Sequence, residues 1–247
     1  MIPLRDDNPA ERTPLVTWAL ILVNAVLFVY ELTLGPELGS FLQNAAFVPA
    51  RALGEGGPGA AGEGASALLS MFLHGGWAHF LGNMLFLWVF GDNIEDRLGH
   101  LRYLVFYLGA GFAATFAHAF ANPDSALPAI GASGAIAGVL GAYLVLHPRA
   151  PIVTLVFLGF FITTTRIPAI VYLPIWFLIQ FVSGVASLGA QTAAEAGGVA
   201  WFAHVGGFVA GPLLLLLLGG FAGGRKPRPR PSPAPTRYRR GEREPWR

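Results

Sequence analysis

The sequence predicts an all-α membrane protein built as a bundle of six transmembrane helices, and three observations predict it. The 247 residues are 54% hydrophobic and only 12% charged, with a mean hydropathy of +0.55, whereas a soluble domain carries roughly 25% charged residues. Apolar runs near the roughly 20 residues needed to cross a bilayer recur six times along the chain. Arginine and lysine fall in every second connection between them, the pattern by which short basic loops stay in the cytoplasm.

Residues 1–14 form an amino-terminal cytoplasmic segment carrying Arg5 and Arg12. The spans follow at Leu15–Leu34, Trp77–Ile94, Leu101–Ala121, Ile130–His147, Ile167–Leu188 and Val199–Gly219, so the membrane domain covers 15–220. The first run lacks a strongly basic flank and has the full length of a span, which reads as a retained helix and not a cleaved signal peptide. Arg97 and Arg102 flank the second turn, and Arg149 and Arg166 flank the fourth. The long first loop, Gly35–Leu73, holds only Arg51 together with "GEGGPGAAGEGA", a run too rich in glycine to be regular without help. "IVTLVFLGFFITTT", Ile152–Thr165, falls short of the roughly 17 residues a crossing needs and reads as an interfacial or re-entrant segment. Counting it as a seventh crossing would put the tail outside, and the tail holds Arg225, Lys226, Arg228, Arg230, Arg237, Arg239, Arg240, Arg243 and Arg247. Residues 221–247 therefore read as a basic, proline-rich, disordered cytoplasmic tail.

With no cysteine in the chain, disulfides, thiolate nucleophiles and cysteine-bound metals are excluded, and any nucleophile is an oxygen. The second, fourth and sixth spans run in one direction, and their early residues include His79 and Asn83, Ser133, and His204. At about 1.5 Å per residue these four share a depth on the order of 10 Å below the outer surface. A strongly polar side chain in hydrocarbon is costly and faces a partner or a cavity. A lone serine there is most often bonded back to a carbonyl of the preceding turn, and a lone histidine bonds between helices; four such groups at one depth point to a site. A serine hydroxyl needs an adjacent base, and a neutral histidine suits that role. No Asp or Glu lies in a span at this depth, so the pattern is a Ser133–His204 dyad.

Ser133 opens a helix whose first amides are unpaired and favour negative charge. His79 and Asn83, four apart on one face, offer further N–H donors of the kind an oxyanion requires. Gly134, Ala137, Gly138 and Gly141 line one side of the fourth span, and Gly207 and Gly211 follow His204 on the sixth. Small residues let membrane helices approach closely, and a side chain as short as serine needs that closeness to reach a histidine on another helix. His74 and His79 are spaced five apart, a poor fit to one helix face, and the H-E-x-x-H zinc pattern is absent. His118 reads as a packing residue, and His100 and His147 as residues of the cytoplasmic interface.

These residues carry a resemblance to the rhomboid intramembrane serine proteases. "HGGWAHFLGNM" (His74–Met84) fits the family's H-x-x-x-N element at His79 and Asn83, "GASG" fits G-x-S-G around Ser133, and "AHVGGFVAG" (Ala203–Gly211) fits the histidine helix. The likeness runs from Thr13 to Gly219 and includes "GDNIEDRLGH" (Gly91–His100). It implies a six-helix rhomboid-like bundle with Ser133 as nucleophile, His204 as general base and acid, and His79 and Asn83 as oxyanion donors, with His74 in a more structural role. It further implies cleavage of the transmembrane segments of other proteins near the outer face, a first loop lying partly in the membrane, a fifth helix beside the substrate's lateral path, and no metal or organic cofactor. The partners it implies are transmembrane protein substrates and the lipid bilayer, not nucleic acid; it sets no oligomeric state. The expected location is a bacterial-type inner (plasma) membrane with both termini cytoplasmic. Some members carry an aromatic residue packed on the histidine where this chain has Ala137, which leaves open what orients His204. Two other readings are a catalytically silent binder of transmembrane segments, which needs neither Ser133 nor His204, and a small transporter using the buried histidines, for which no internal symmetry is present.

Overall fold

The computed structural model of the chain describes residues 1–54, 62–158, 161–186 and 200–221. The glycine-rich stretch 55–61, the loop 187–199 and the basic tail from 222 lie outside the described residues. The fold is mostly helical. All six expected spans appear as helices: α1 (Leu15–Leu34), α5 (Trp77–Leu98), α6 (His100–Ala121), α7 (Ser133–Leu146), α8 (Ala169–Ala186) and α9 (Trp201–Leu217). Between α1 and α5 the first loop is largely ordered into three short helices, α2 (Leu38–Ala45), α3 (Pro49–Leu53) and α4 (Glu63–Ser70). Among the described residues, only α1 with its continuation and α6 have both the length and the apolar content of an unbroken crossing.

Ile152–Thr165 is not re-entrant. It lies in a β-hairpin of β2 (Pro151–Leu158) and β3 (Phe161–Pro168), paired antiparallel from Pro151↔Pro168 to Leu158↔Phe161. The amino-terminal segment adds β1 (Ile2–Asp6), which pairs antiparallel with β2 and makes a three-stranded sheet in the order β1-β2-β3. The physical reason is composition: Ile152, Val153, Thr154, Val156, Ile162 and Thr163 to Thr165 are β-branched, and such side chains pack well on a pleated surface while losing rotamer freedom in a helix. Asp6 ties the sheet to the bundle, accepting hydrogen bonds from Tyr143 Oη of α7 at 2.5 Å and from Asn93 Nδ2 of α5 at 3.0 Å. Burial pushes the Asp6 carboxyl above its usual range, against the pull of those bonds.

α7 is the centre of the bundle. Every residue from Gly134 to Tyr143 is buried, because α5, α6, α8 and α9 all pack against it; a helix apolar all round belongs in such a place. Leu140 and Tyr143 of α7 meet Leu87, Phe90 and Ile94 of α5 and Tyr103, Phe106 and Tyr107 of α6 in the main core. By contrast α1 and α8 turn apolar faces outward, with Leu22, Val26 and Val29 exposed on the first and Ile175, Leu178 and Val182 on the second.

Two constraints hold these helices. α7 and α9 touch through backbone: a Cβ built on Gly207 would stand 2.0 Å from the Gly134 carbonyl oxygen, and one on Gly211 would stand 2.0 Å from that of Gly138. Neither position has room for any side chain. The other constraint is Glu95 of α5, which is fully buried. Its carboxylate accepts the Val16 and Thr17 amides at 2.8 Å and the Thr17 hydroxyl at 2.7 Å, and it meets His100 Nδ1 at 2.6 Å. Pro14 supplies no side-chain cap to α1, so a carboxylate from another helix satisfies first-turn donors that would otherwise be orphaned. The reversal from α5 to α6 needs one residue, Gly99, with φ +77°, a conformation open to glycine.

Gly207→Ala and Gly211→Ala should each lower stability by about 1–3 kcal/mol or more, the range for overpacking a close contact. Gly39→Ala, where nothing lies within 4 Å, is the neutral control in reversible unfolding from mixed micelles. Glu95→Ala should cost about 3 kcal/mol in the same measurement, because it strands buried donors.

Candidate active site

Ser133 is the first residue of α7. With 14 residues the helix is about 21 Å long, well short of a hydrocarbon core of roughly 30 Å, so it does not cross one alone. The backbone that would otherwise be exposed above it is paired with the first loop. Ala129 N donates to Phe47 O at 2.8 Å and Gly131 N donates to Ser70 O at 2.8 Å, while Phe47 N donates to Ser70 Oγ at 2.7 Å. The short helices of the first loop thus wall the site and fix the approach to Ser133.

His204 lies in the first turn of α9. Its Nε2 is 2.7 Å from Ser133 Oγ, and its Nδ1 is 2.6 Å from Gln180 Oε1 of α8. An amide oxygen only accepts, so a bond to Gln180 Oε1 calls for a proton on Nδ1, the tautomer in which Nε2 can accept from the Ser133 hydroxyl. Trp176 of α8 lies beside the ring at 5.9 Å between centroids, tilted by 37°, and Trp201 meets it edge-on at 6.1 Å. His204 and Gln180 are 7% and 8% exposed, which leaves water little access to either bond.

His79 stands beside the Gly131 turn that leads into Ser133. Gly131 has φ +119°, and a Cβ there would come within 2.6 Å of His79 Nε2 and 3.6 Å of Ser133 Oγ; only glycine allows the imidazole so close to the serine turn. Asn83, one turn further along α5, is buried, and its Nδ2 has no hydrogen-bond partner. The structure therefore brings Ser133, His204 and His79 together and leaves Asn83 as an unpaired amide donor on the His79 face, with no bond of its own to Ser133. A small cavity of about 20 Å³ adjoins Ser133, lined by Ser70, Thr115, Ile130, Gly131, Ala200 and Ala203 among others.

The other histidines separate by environment. His74 is fully buried, packs edge-on against His79 at 5.1 Å and against Phe80 at 5.5 Å, and its amide donates to both Glu31 carboxylate oxygens at 3.0 Å. It braces the turn into α5, and Glu31 of α1 corrects the expectation that no carboxylate lies in a span at this depth, although it bonds His74 and not His204. His118 packs within the site end of α6 and its carbonyl accepts the Asn122 amide at 3.0 Å. His100 belongs to the Glu95 cluster, and His147 packs on Tyr143 at 5.2 Å. The residue that the sequence reading missed is Gln180. Its signal was present as a strongly polar amide inside the apolar run "AIVYLPIWFLIQFVSGVA", where a polar group implies a partner.

Comparison with known proteins gives the family. The family model of the Rhomboid domain matches residues 61–221. The chain is 32% identical over 156 residues to RHOMBOID-like protein 4 of Arabidopsis thaliana, covering 63% of this chain and 34% of that protein. It is 42% identical over 85 residues to Rhomboid protease GluP of Bacillus subtilis, covering 34% of this chain and 16% of that one. It is 31% identical over 152 residues to Rhomboid protein 1, mitochondrial, of Saccharomyces cerevisiae, covering 60% of this chain and 40% of that one. The chain thus spans well under half the length of each of these relatives. The similarity makes this an integral membrane protein, and since the relatives include mitochondrial proteins, it does not single out a bacterial plasma membrane. With the domain match extending over well more than half of its residues, the chain belongs to the rhomboid family.

Proposed function

We propose that the protein is an intramembrane serine endopeptidase that cleaves transmembrane segments of other membrane proteins with a Ser133–His204 dyad. The observation that carries this reading is the 2.7 Å contact between Ser133 Oγ and His204 Nε2, made between two buried helices whose backbones touch through glycine. A serine held only for packing needs no base at that distance.

In this reading the Ser133 hydroxyl passes its proton to His204 Nε2 as Oγ attacks the substrate carbonyl. The resulting imidazolium returns that proton to the leaving amine as the peptide C–N bond breaks, and an acyl group stays on Oγ. Water, deprotonated by the same histidine, then releases the acyl group as a free carboxylate. The oxyanion of each tetrahedral intermediate is met by the first amides of α7, which have no partner within the helix, and by the His79 and Asn83 side chains. The unpaired Asn83 Nδ2 supports that role: a buried donor without a partner is costly in the resting protein and gains one only when negative charge arrives.

Substrates are segments with small or helix-weakening residues. A regular helix hides its carbonyls in hydrogen bonds and has to open before attack, and the small cavity beside Ser133 favours a small side chain. The basic connections place both termini in the cytoplasm, so the Ser133 end faces outward and cleavage occurs near the outer face. The membrane domain 15–220 holds all of this machinery, with the segment 1–14 before it and the basic tail 221–247 after it.

The purified protein in liposomes should cleave a single-span reporter containing a small-residue site, and Ser133→Ala should abolish that cleavage and also labelling by a fluorophosphonate. Cleavage that persists in Ser133→Ala sinks the reading. A client whose fate changes equally with native and Ser133→Ala protein favours a silent binder of transmembrane segments.

A further inference from the structure

We propose that Gln180 is the positioning residue of the catalytic base: its side-chain carbonyl accepts the Nδ1 proton of His204 and holds the imidazole in the tautomer whose Nε2 faces Ser133. The proposal rests on the protease reading above and adds to it a third group, carried by α8.

A neutral imidazole has one N–H and one lone pair, and the group bonded to one nitrogen decides the state of the other. Left without a partner at Nδ1, His204 would in part carry its proton on Nε2. That form cannot take a proton from Ser133, so each such molecule is idle. An acceptor at Nδ1 removes the idle form. The Gln180 contact is 2.6 Å, and the surrounding burial keeps water from substituting for it. The aromatic neighbours Trp176 and Trp201 pack on the ring at 5.9 and 6.1 Å but offer Nδ1 no lone pair.

Position 137 explains why the task falls to α8. Ala137 is fully buried, and a Cβ on Gly207 would stand 3.3 Å from the Ala137 Cβ. The face of α7 below the serine is closed against α9, so a large ring at 137 has no space. The tether comes instead from the other side of His204. An amide also suits this place better than a carboxylate. It fixes the tautomer without adding a buried charge, which among apolar helices is expensive.

The amide has two orientations. With Oε1 toward the ring the base is poised; with Nε2 toward it, the histidine proton is driven to Nε2 and the Ser133 oxygen becomes an acceptor. The contact also depends on α8, which packs chiefly on α9 and touches α7 less, and whose Trp176 reaches Phe86 of α5 at 6.3 Å. Outward displacement of α8 separates Gln180 from Nδ1. The tautomer of the base is therefore tied to the seating of a peripheral helix.

The test uses the full-length protein with ¹⁵N-labelled histidine in micelles, the His204 signal being assigned by its loss in His204→Ala. Native protein should show the Nδ1–H tautomer. Gln180→Leu should show a mixture with Nε2–H, a kcat lower by roughly 10–100-fold, the range for loss of a group that orients another, and a KM little changed; fluorophosphonate labelling of Ser133 should slow in parallel. Gln180→Glu, which keeps an acceptor oxygen, should retain the native tautomer and more of the rate. If Gln180→Leu does not fold, Gln180→Met matches the volume and takes its place. An Nε2–H tautomer in native protein, or an unchanged tautomer and kcat in the folded variant, overturns the proposal. A tautomer that shifts as described in a protein that cleaves no reporter overturns the protease reading and leaves the role of Gln180 standing.

Discussion

The site depends on how closely α7 and α9 approach. A serine side chain reaches little beyond its own backbone, so a 2.7 Å contact with a histidine on another helix sets an upper limit on the separation of the two helices. Ordinary helix pairs keep their axes 8–10 Å apart because side chains stand between them. Here Gly207 faces the Gly134 carbonyl and Gly211 faces that of Gly138, with no Cβ at either crossing. In a membrane, where apolar side chains gain nothing by leaving lipid, this backbone contact is also what holds the pair together. One set of glycines thus serves helix cohesion and the Ser133–His204 contact at once, and that explains why poor helix formers line the central helix of the bundle.

The second requirement is that polar side chains lie inside a helical bundle without stranding backbone groups there. α7 is short, and the strand-like pairing of Phe47 with Ala129, with the Ser70 contacts, closes the space beyond Ser133. Irregular backbone at that depth is tolerable only when protein satisfies its donors and acceptors, and the first loop does this. At the opposite end Glu95 gathers the start of α1, while Asp6 gathers β1, α5 and α7. Both carboxylates lie at that one end, and each belongs to one element and satisfies donors on others, so helices that share little apolar driving force are still fixed in position.

Most of this architecture was legible because membrane burial leaves simple traces in a sequence. The boundaries Leu15–Leu34 emerged unchanged, and the other spans differ only by a few residues at their ends, where helix assignment is least sharp. Ser133, His204 and His79 were legible because polar groups are rare in spans and because three of the helices run in one direction. The hairpin at 151–168 was not. Length was weighed and the β-branched composition of "IVT" and "ITTT" was not, and the partner strand β1 lies some 145 residues earlier in sequence, a distance over which no periodicity carries. "GDNIEDRLGH" carried family likeness but no visible task. Only the fold shows Glu95 reaching across 79 residues to Val16.

Gln180 escaped notice for a related reason. Helices of one direction share a leaflet at their early residues, and α8 runs the other way. Gln180 is the twelfth residue of α8, so it reaches the same level from the far end of an antiparallel helix. A buried imidazole needs a partner at its second nitrogen, and with no carboxylate against His204 among the described residues and an alanine at 137, that partner comes from a polar side chain of α8. The catalytic depth of a membrane site is thus better read as a plane through all spans, up-running and down-running alike. A polar residue late in one helix answers to one early in its neighbour.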